Sequence, residues 1–469
     1  MIQTEAINWR INEYTVSEVL TIDILRKQLL TLYPNSSLFE TSSGFQEVDG
    51  ADTTFMVDLL FEITLVDGTW KIESKEFFNI YNEPVNVILN REGSSIWERF
   101  REITKLLNLP DSFPIVFMLS YSAARFVEDI PNMKIDHSEP EVVFRVYKNV
   151  VSVDKERNLA TVKSLSCNDR IIDKRKELTS FIKENYIHKS KVNWDKGEMI
   201  DVTDKEKFLQ AVNHAKQYIK DGEIYQVQLC RTTFSSADIP PLELYERLSL
   251  VNPSPYMYYI ELNKQHIISS SPELMIRIKD NVAQVRPIAG TMSKNDIRDT
   301  PLNEIPKESA EHLMLVDLAR NDLARCALSG GLKVTNLMKL EPYGDIDHLV
   351  STVETKIKEG IDIWDLISSN FPAGTMTGAP KVRAMEIIAE LEDTPRGLYS
   401  GCGGYFTSKG EGIFALTIRT IIGNPGNYKL CSAAGIVADS EPSAEWDEAG
   451  IKTKSFAKAI DPKLNYKEG

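Results

Sequence analysis

The chain has 469 residues, 42% hydrophobic and 26% charged, which excludes disorder as its overall state and leaves room for one large core or two. Its formal net charge is −14, so non-specific binding to nucleic acid or to an anionic membrane surface is excluded. Any anionic substrate therefore needs local positive charge or a metal. Met1 to Arg10 has no apolar segment, and no run of about 18 apolar residues occurs anywhere. The five cysteines (167, 230, 326, 402 and 431) are scattered and lack metal spacing. A cytoplasmic protein with no membrane partner is expected.

In chain order, apolar runs at 55–66 and 142–151 predict strands, and 94–107 predicts a helix. Residues 168–200 are highly charged, and 173–185 reads as an exposed helix. The main boundary is placed there, giving an N-terminal region 1–195 and a catalytic region 196–469. Thr203-x-x-Glu206 predicts a capping box, and Phe208, Val212, Ala215 and Ile219 form an apolar stripe at helical spacing. Asp221-Gly222 ends that helix. The segment 224–234 predicts a strand with Tyr225, Val227 and Leu229 on one face and Gln226, Gln228 and Cys230 on the other. A glutamine so placed reads, by itself, as solvated.

The segment 303–327 predicts a helix with Glu308, Glu311, His312 and Leu315 on one face. A second acidic helix follows Asp439-Ser440-Glu441-Pro442, with Pro442 in its first turn and Asp439 or Ser440 as cap. Glu445, Glu448 and Lys452 share one face of it. Each acidic stripe alone reads more readily as a solvated surface than as a ligand set. Facing one another, they would repel unless a cation lay between them. Hard oxygen donors of this kind suit Mg²⁺, which keeps waters and accepts a substrate carboxylate.

The glycine-rich stretches are less informative. Gly374-Thr375-Met376-Thr377-Gly378-Ala379-Pro380-Lys381 lacks phosphate-loop spacing, which excludes nucleotide binding. Gly401-Cys402-Gly403-Gly404 lacks the spacing of a nucleophile turn and reads as a small-residue strand. Ala434-Gly435-Ile436-Val437 could offer backbone N–H groups to an anion.

An ordered series of motifs resembles the chorismate-utilising enzymes. It comprises Gly222–Leu229, Asn252–Met257, Ser271-Pro272-Glu273 and Arg286–Thr291, then Ala310–Leu323, Phe371–Glu386 and Ala434–Ser440. Within that family the chain is most similar to the aminating large subunits, anthranilate synthase component I. The resemblance implies an α+β fold of large antiparallel sheets in a sandwich core with helices outside. It implies Mg²⁺ bound by Glu311 and Glu448, assisted by Glu308 and Glu445. Glu273 would protonate the departing C4 hydroxyl. Arg419, Tyr399 and Lys452 would hold the substrate carboxylates, with backbone N–H groups around Ala434 and Gly435. Thr291 and Thr375 would line the ring pocket, and His348 would assist pyruvate elimination.

Two positions select the reaction. Water-adding relatives carry a lysine base where Gln226 stands, and glutamine cannot serve as that base. Relatives that aminate C4 carry a lysine nucleophile where Ala289 stands. What remains is external ammonia attacking C2, giving 2-amino-2-deoxyisochorismate and then, after pyruvate loss, anthranilate. An enzyme that stops before pyruvate loss is the alternative. A non-catalytic regulatory subunit is a different class, disfavoured by the intact glutamates and Lys452. No glutaminase domain is visible, so a separate amidotransferase subunit is the expected partner, while self-association stays open.

The chain departs from the family pattern at Met118–Arg125, Gly344–His348 and Ala433–Gly435. A feedback site for tryptophan, in relatives, lies between two motifs. Here they read Leu38-Phe39-Glu40-Thr41 and Asn252–Met257, the second ending in Pro255, Tyr256 and Met257.

Overall fold

The computed structural model describes residues 7–42, 52–167, 175–185, 194–293, 301–343 and 346–461. Every strand pairing among them is antiparallel. Two long strands, Asp52–Val66 and Val142–Asp154, organise the sheet. Their first-to-last pairing is interrupted by a register shift between Leu59 and Phe61, beside Asp58 at φ +63. A bulge of this kind bends the strand and increases its twist.

On one side of the bulge the sheet continues through Ser37–Glu40, Tyr256–Leu262, Gln265–Ser271, Thr420–Asn424, Asn427–Ile436 and Gln226–Ser235. On the other it continues through Pro114–Leu119, Cys402–Thr407, Gly412–Leu416, Leu274–Lys279, Val282–Arg286 and Ile346–Lys356. The two wings face each other. Phe39 meets Tyr405 edge-on at 5.1 Å, and the Tyr258 hydroxyl crosses to donate to Thr417 Oγ1 at 3.0 Å. A Cβ at Gly403 would lie 2.9 Å from Met118 Cε and 3.4 Å from the Tyr258 ring, so the small-residue strand packs closely against both. The fold is the α+β antiparallel architecture expected, with helices packed outside. No described helix is long and apolar enough to cross a membrane.

The predicted helix at 94–107 spans Ile96–Leu107, with a full capping box between Ser95 and Glu98. Its buried stripe of Ile96, Phe100, Ile103 and Leu107 meets the sheet, and Phe100 stacks on Trp364 at 5.3 Å. Full burial of such a ring contributes about 2–3 kcal/mol. Two local expectations are corrected. The helix Lys205–Lys220 is capped by Asp204, whose carboxylate accepts from Lys207 N–H, and Thr203 instead accepts from Thr232 N–H at 2.8 Å. The helix Arg175–Lys183 is not merely exposed. Leu178 and Ile182 are fully buried in a second core, with Leu25, Leu29, Leu244 and Phe456. Their i, i+4 spacing was masked by the surrounding charge.

Candidate active site

The first acidic helix runs Pro306–Ala324, with Pro306 in its first turn and Leu315, Val316, Ala319 and Leu323 facing the core. His312 is fully buried beside them, and its Nε2 shares a 2.6 Å hydrogen bond with Ser351 Oγ. Burial pushes its pKa down to about 4, so it is a neutral core residue at pH 7. Glu308 and Glu311, one turn earlier on the same face, are half-buried.

The second acidic helix runs Pro442–Ile460. Its cap position is Glu441, with no side-chain cap bond, which corrects the expected Asp439 or Ser440 cap. Ser440 Oγ instead accepts from Val437 N–H at 3.0 Å. That closes the turn and removes Val437 from any anion cradle. Lys452 Nζ sits 2.8 Å from Glu448 Oε1 and donates to Ala433 O at 2.7 Å.

The two helices bring their carboxylates together. Burial raises the Glu311 pKa, and the charges of Glu308 and Glu448 raise it further. Burial also raises that of Glu445; a Ser440 hydrogen bond opposes, and the Glu448 charge adds to the rise. Glu445 Oε2 is buried with no hydrogen-bond partner among the described residues. An orphaned carboxylate oxygen beside mutually repelling neighbours is a site for a cation.

Gln226 opens the strand Gln226–Ser235 and is 2% exposed. Its Nε2 donates to Glu311 Oε1 at 3.1 Å. The solvated reading of this glutamine is therefore overturned: packing against the acidic helix outweighs the face alternation. The neighbouring strand Asn427–Ile436 places Ala434 opposite Leu229 and Gly435 opposite Gln228. A Cβ at Gly435 would lie 2.5 Å from Gln226 Nε2 and 2.9 Å from Gln228 Nε2, so a side chain here would push both glutamine amides aside.

Glu273 follows the strand Gln265–Ser271 and is 8% exposed. Burial pushes its pKa up to about 8, with Thr375 close enough to pull weakly downward. Thr375 Oγ1 itself is buried and makes no hydrogen bond of normal geometry. Thr375 lies in the short turn Gly374–Thr377, where a Cβ at Gly374 would overlap Leu318 of the first acidic helix. Lys381, the end of the superficial phosphate loop, is bound to both carboxylate oxygens of Asp322 at 2.8 Å. That lysine has no charge to spare for a phosphate.

Arg419 is the site's unusual cation. It holds φ +50, and burial lowers its pKa, opposed only by Tyr399. Among the described residues its side chain makes no hydrogen bond and no ion pair. Tyr399 is buried with its hydroxyl pKa raised by burial. His348 Nδ1 donates to Gly290 O at 2.7 Å, which fixes the tautomer and leaves the lone pair on Nε2. Burial lowers the His348 pKa; the Gly290 carbonyl opposes, and the Arg419 charge adds to the lowering. Ala289 precedes Gly290 and pairs with Leu349. A Cβ at Gly290 would lie 3.0 Å from Glu308 Oε2, so this strand also borders the acidic face. Thr291 is on the same strand, but its side chain lies outside the described residues, as do Gly344 and Asp345.

The two segments expected to border a feedback site meet by strand pairing, with Glu40 opposite Met257. Ser42 N–H donates to Ser254 O at 3.2 Å, one residue before Pro255 and Tyr256. The Glu40 carboxylate accepts from Arg26 at 2.9 and 3.2 Å and from Tyr245 at 2.7 Å. Thr41 is buried beside it. Sequence reasoning passed over Arg26, Tyr245, and a buried ion pair behind the active site, Glu392 with Arg396. The available signal for the latter was an i, i+4 charge pair running past a helix end into Pro395-Arg396-Gly397.

The family model described as chorismate binding enzyme matches residues 68–458. Anthranilate synthase component 1 of Aquifex aeolicus (strain VF5) is 43% identical over 263 residues, 55% of this chain and 53% of that protein. The chain thus spans about half the length of that relative. Aminodeoxychorismate synthase component 1 of Bacillus subtilis (strain 168) is 37% identical over 367 residues, 73% of this chain and 76% of that protein. The crystal structure of anthranilate synthase component I from Streptococcus pneumoniae TIGR4 superposes with a TM-score of 0.72 at 27% identity, covering 87% of this chain and 93% of that one. With its sheet, its paired acidic helices and a family match over most of its length, this chain belongs to the chorismate-binding enzymes.

Proposed function

We propose that the chain aminates chorismate at C2 with ammonia and then eliminates pyruvate to give anthranilate. The observation that carries this reading is Glu273, a buried carboxyl with its pKa pushed up to about 8 and therefore protonated at pH 7. Gln226 and Ala289 support it, because neither can act as an amine base or nucleophile.

The chain's residues divide the work. Arg419 takes one substrate carboxylate, with Tyr399, Lys452 and the strand around Ala434 and Gly435 beside it. Glu273 gives its proton to the C4 hydroxyl, whose C–O bond breaks to release water. The ammonia lone pair forms the C–N bond at C2 as the ring double bonds shift. His348, with its Nε2 lone pair, assists the step in which the ring loses a proton and the enolpyruvyl group leaves as pyruvate. Thr375 and Thr291 shape the ring pocket.

Glu311 and Glu448 would hold Mg²⁺, assisted by Glu308 and Glu445 through water or hydrogen bonds. The donors fit: all are carboxylate oxygens, and Glu445 Oε2 lacks a partner among the described residues. No three His, Cys, Asp or Glu side chains among the described residues form a ready-made metal cage. Mg²⁺ bound through one or two carboxylates takes water and substrate oxygens as its remaining ligands. When bound, the ion supplies positive charge for the ring carboxylate.

Incubation with chorismate, Mg²⁺ and ammonium chloride, with products identified by mass and fluorescence, tests the reading. Anthranilate is expected without glutamine, because the ammonia would otherwise come from a separate amidotransferase subunit. An amino product that keeps its enolpyruvyl group selects the alternative that stops at 2-amino-2-deoxyisochorismate. A hydroxylated ring overturns both.

The pairing of the Glu40 and Met257 strands supports tryptophan binding there. Calorimetry should then show heat at millimolar tryptophan that is lost in Glu40→Gln. No heat with the unaltered protein ends the idea.

A further inference from the structure

Arg396 is 2% exposed and lies behind the site just described. A guanidinium has five N–H donors in a rigid fork. All five are matched here. Nε and Nη2 bind the two oxygens of Glu392 at 2.9 and 2.6 Å. Nη1 donates to Met376 O at 2.8 Å and to Ser400 Oγ at 3.3 Å. Nη2 also donates to Gln228 O at 2.7 Å. The plane rests on the Tyr121 ring, 4.6 Å from its centre.

The acceptors are not a random set. Met376 follows Thr375, Ser400 follows Tyr399, and Gln228 lies two residues beyond Gln226. Each belongs to a different segment that presents a residue to the substrate pocket. Glu392 adds a fourth tie, because its Oε1 also accepts from Cys230 N–H at 2.8 Å.

The strand edge explains why side chains are needed here. One edge of Gln226–Ser235 is fully paired with Asn427–Ile436. The other is paired by Gly378–Ala379 only at Gln226 and Val227, and by Met199–Asp201 only at Thr233 to Ser235. Between them, the Gln228 carbonyl and the Cys230 N–H would be left without a strand partner. Unpaired and buried, each would be destabilising. Arg396 and Glu392 supply one donor and one acceptor at this gap. They stand in for a missing strand.

We infer that Arg396, locked by Glu392, is the positioning residue that sets Gln226, Thr375 and Tyr399 at fixed distances from one another for the reaction. The inference rests on the proposed function only for which reaction is measured. All five donors of Arg396 go to Glu392, Met376, Ser400 and Gln228 and none to Glu308, Glu311, Glu445 or Glu448, so it acts through the three segments it joins. Lysine would keep the charge but lose the fork, and cannot reach all of these acceptors at once.

Arg396→Lys and Glu392→Gln test this, with Arg145→Lys as control. Arg145 is equally buried, bonded to Glu62, Tyr147 and the Glu261 carbonyl, and shares no partner with Arg396. Turnover is followed by chorismate loss, whatever the product. Arg396→Lys should lower kcat about 10²-fold with KM within about threefold, as expected for misplacement by roughly 1 Å. Arg145→Lys should keep kcat even where it lowers the melting temperature as much. Amide exchange should quicken together in 226–230, 374–377 and 398–400, and not in the first acidic helix. Glu392→Gln should show the same exchange pattern and a smaller kcat loss, and serves alone if Arg396→Lys does not fold. Kcat within twofold of the parent in the folded variants, equal losses in the Arg145 control, or faster exchange in one segment only would overturn the inference. If the parent protein does not consume chorismate, the functional reading fails and the exchange pattern still decides the positioning role.

Discussion

Glu273→Gln should lose about 10²–10⁴-fold in chorismate turnover, the range that general acid catalysis contributes. Glutamine keeps the size and one hydrogen-bond donor but cannot release a proton to a leaving hydroxyl. The parent enzyme's kcat/KM should fall on the alkaline side as pH passes about 8, where the Glu273 carboxyl ionises. The residual activity of the variant should lack that limb. The substitution should affect stability in the opposite sense to activity. In the unfolded chain this carboxyl ionises near its ordinary value of 4.5, whereas the folded chain keeps its proton up to about 8. Between those values the folded state binds more protons, so stability falls as pH rises and is flat above. Glu273→Gln escapes that loss and should be more stable than the parent at pH 8–9, by on the order of 1–4 kcal/mol. Denaturant titrations at pH 5 and pH 9, beside rate profiles, check both halves. Near-parental turnover, or an alkaline limb that survives the substitution, removes Glu273 from the acid role.

Arg419→Met should show the second large effect. Charge-assisted bonds from a desolvated guanidinium to a carboxylate are strong, and their loss should cut kcat/KM for chorismate about 10²–10³-fold, mostly through KM. The free protein should not suffer. Arg419 is half-buried and its side chain makes no ion pair among the described residues, so its charge is uncompensated until an anion arrives. Methionine retains the aliphatic stem and the same backbone strain at φ +50, and removes only the charge. The melting temperature should hold or rise. A site that destabilises its own scaffold is a common signature of function. If activity and melting temperature fall together, Arg419 is a structural cation and not the substrate anchor.

Much of the fold was legible because its elements have strong periods. Of the expected stripe Phe208, Val212, Ala215 and Ile219, the first three are buried and Ile219 is half-buried, and the helix expected at 94–107 spans Ile96–Leu107. The acidic helices were legible as faces, and the structure sets Glu311 within the field of Glu308 and Glu448. What was hidden depends on neighbours distant in sequence. Gln226 is buried because Glu311 and Gly435 close over it, and no property of its own strand says so. Leu178 and Ile182 were masked by lysines and glutamates that point elsewhere. Capping was ambiguous where two eligible residues are adjacent, since Thr203 and Asp204 compete and the loser bonds another strand. Of the Arg396 fork only the i, i+4 pair with Glu392 left a trace in the sequence, because its other acceptors are two backbone carbonyls and a hydroxyl whose types carry no signal.

The bent strands Asp52–Val66 and Val142–Asp154 also set a timetable for synthesis. Pro114–Leu119 pairs with an early strand on one edge and with Cys402–Thr407 on the other. Ser37–Glu40 likewise waits for Tyr256–Leu262. On a ribosome adding about 5–20 residues per second, the interval from Leu119 to Cys402 lasts roughly 15–60 s. For that time a nascent chain carries bare, apolar strand edges, the kind of surface to which other chains add. The protein's greatest exposure to misassembly therefore falls before it is complete, and the rate of translation and the chaperones at the exit tunnel set its yield as much as the stability of the finished sheet.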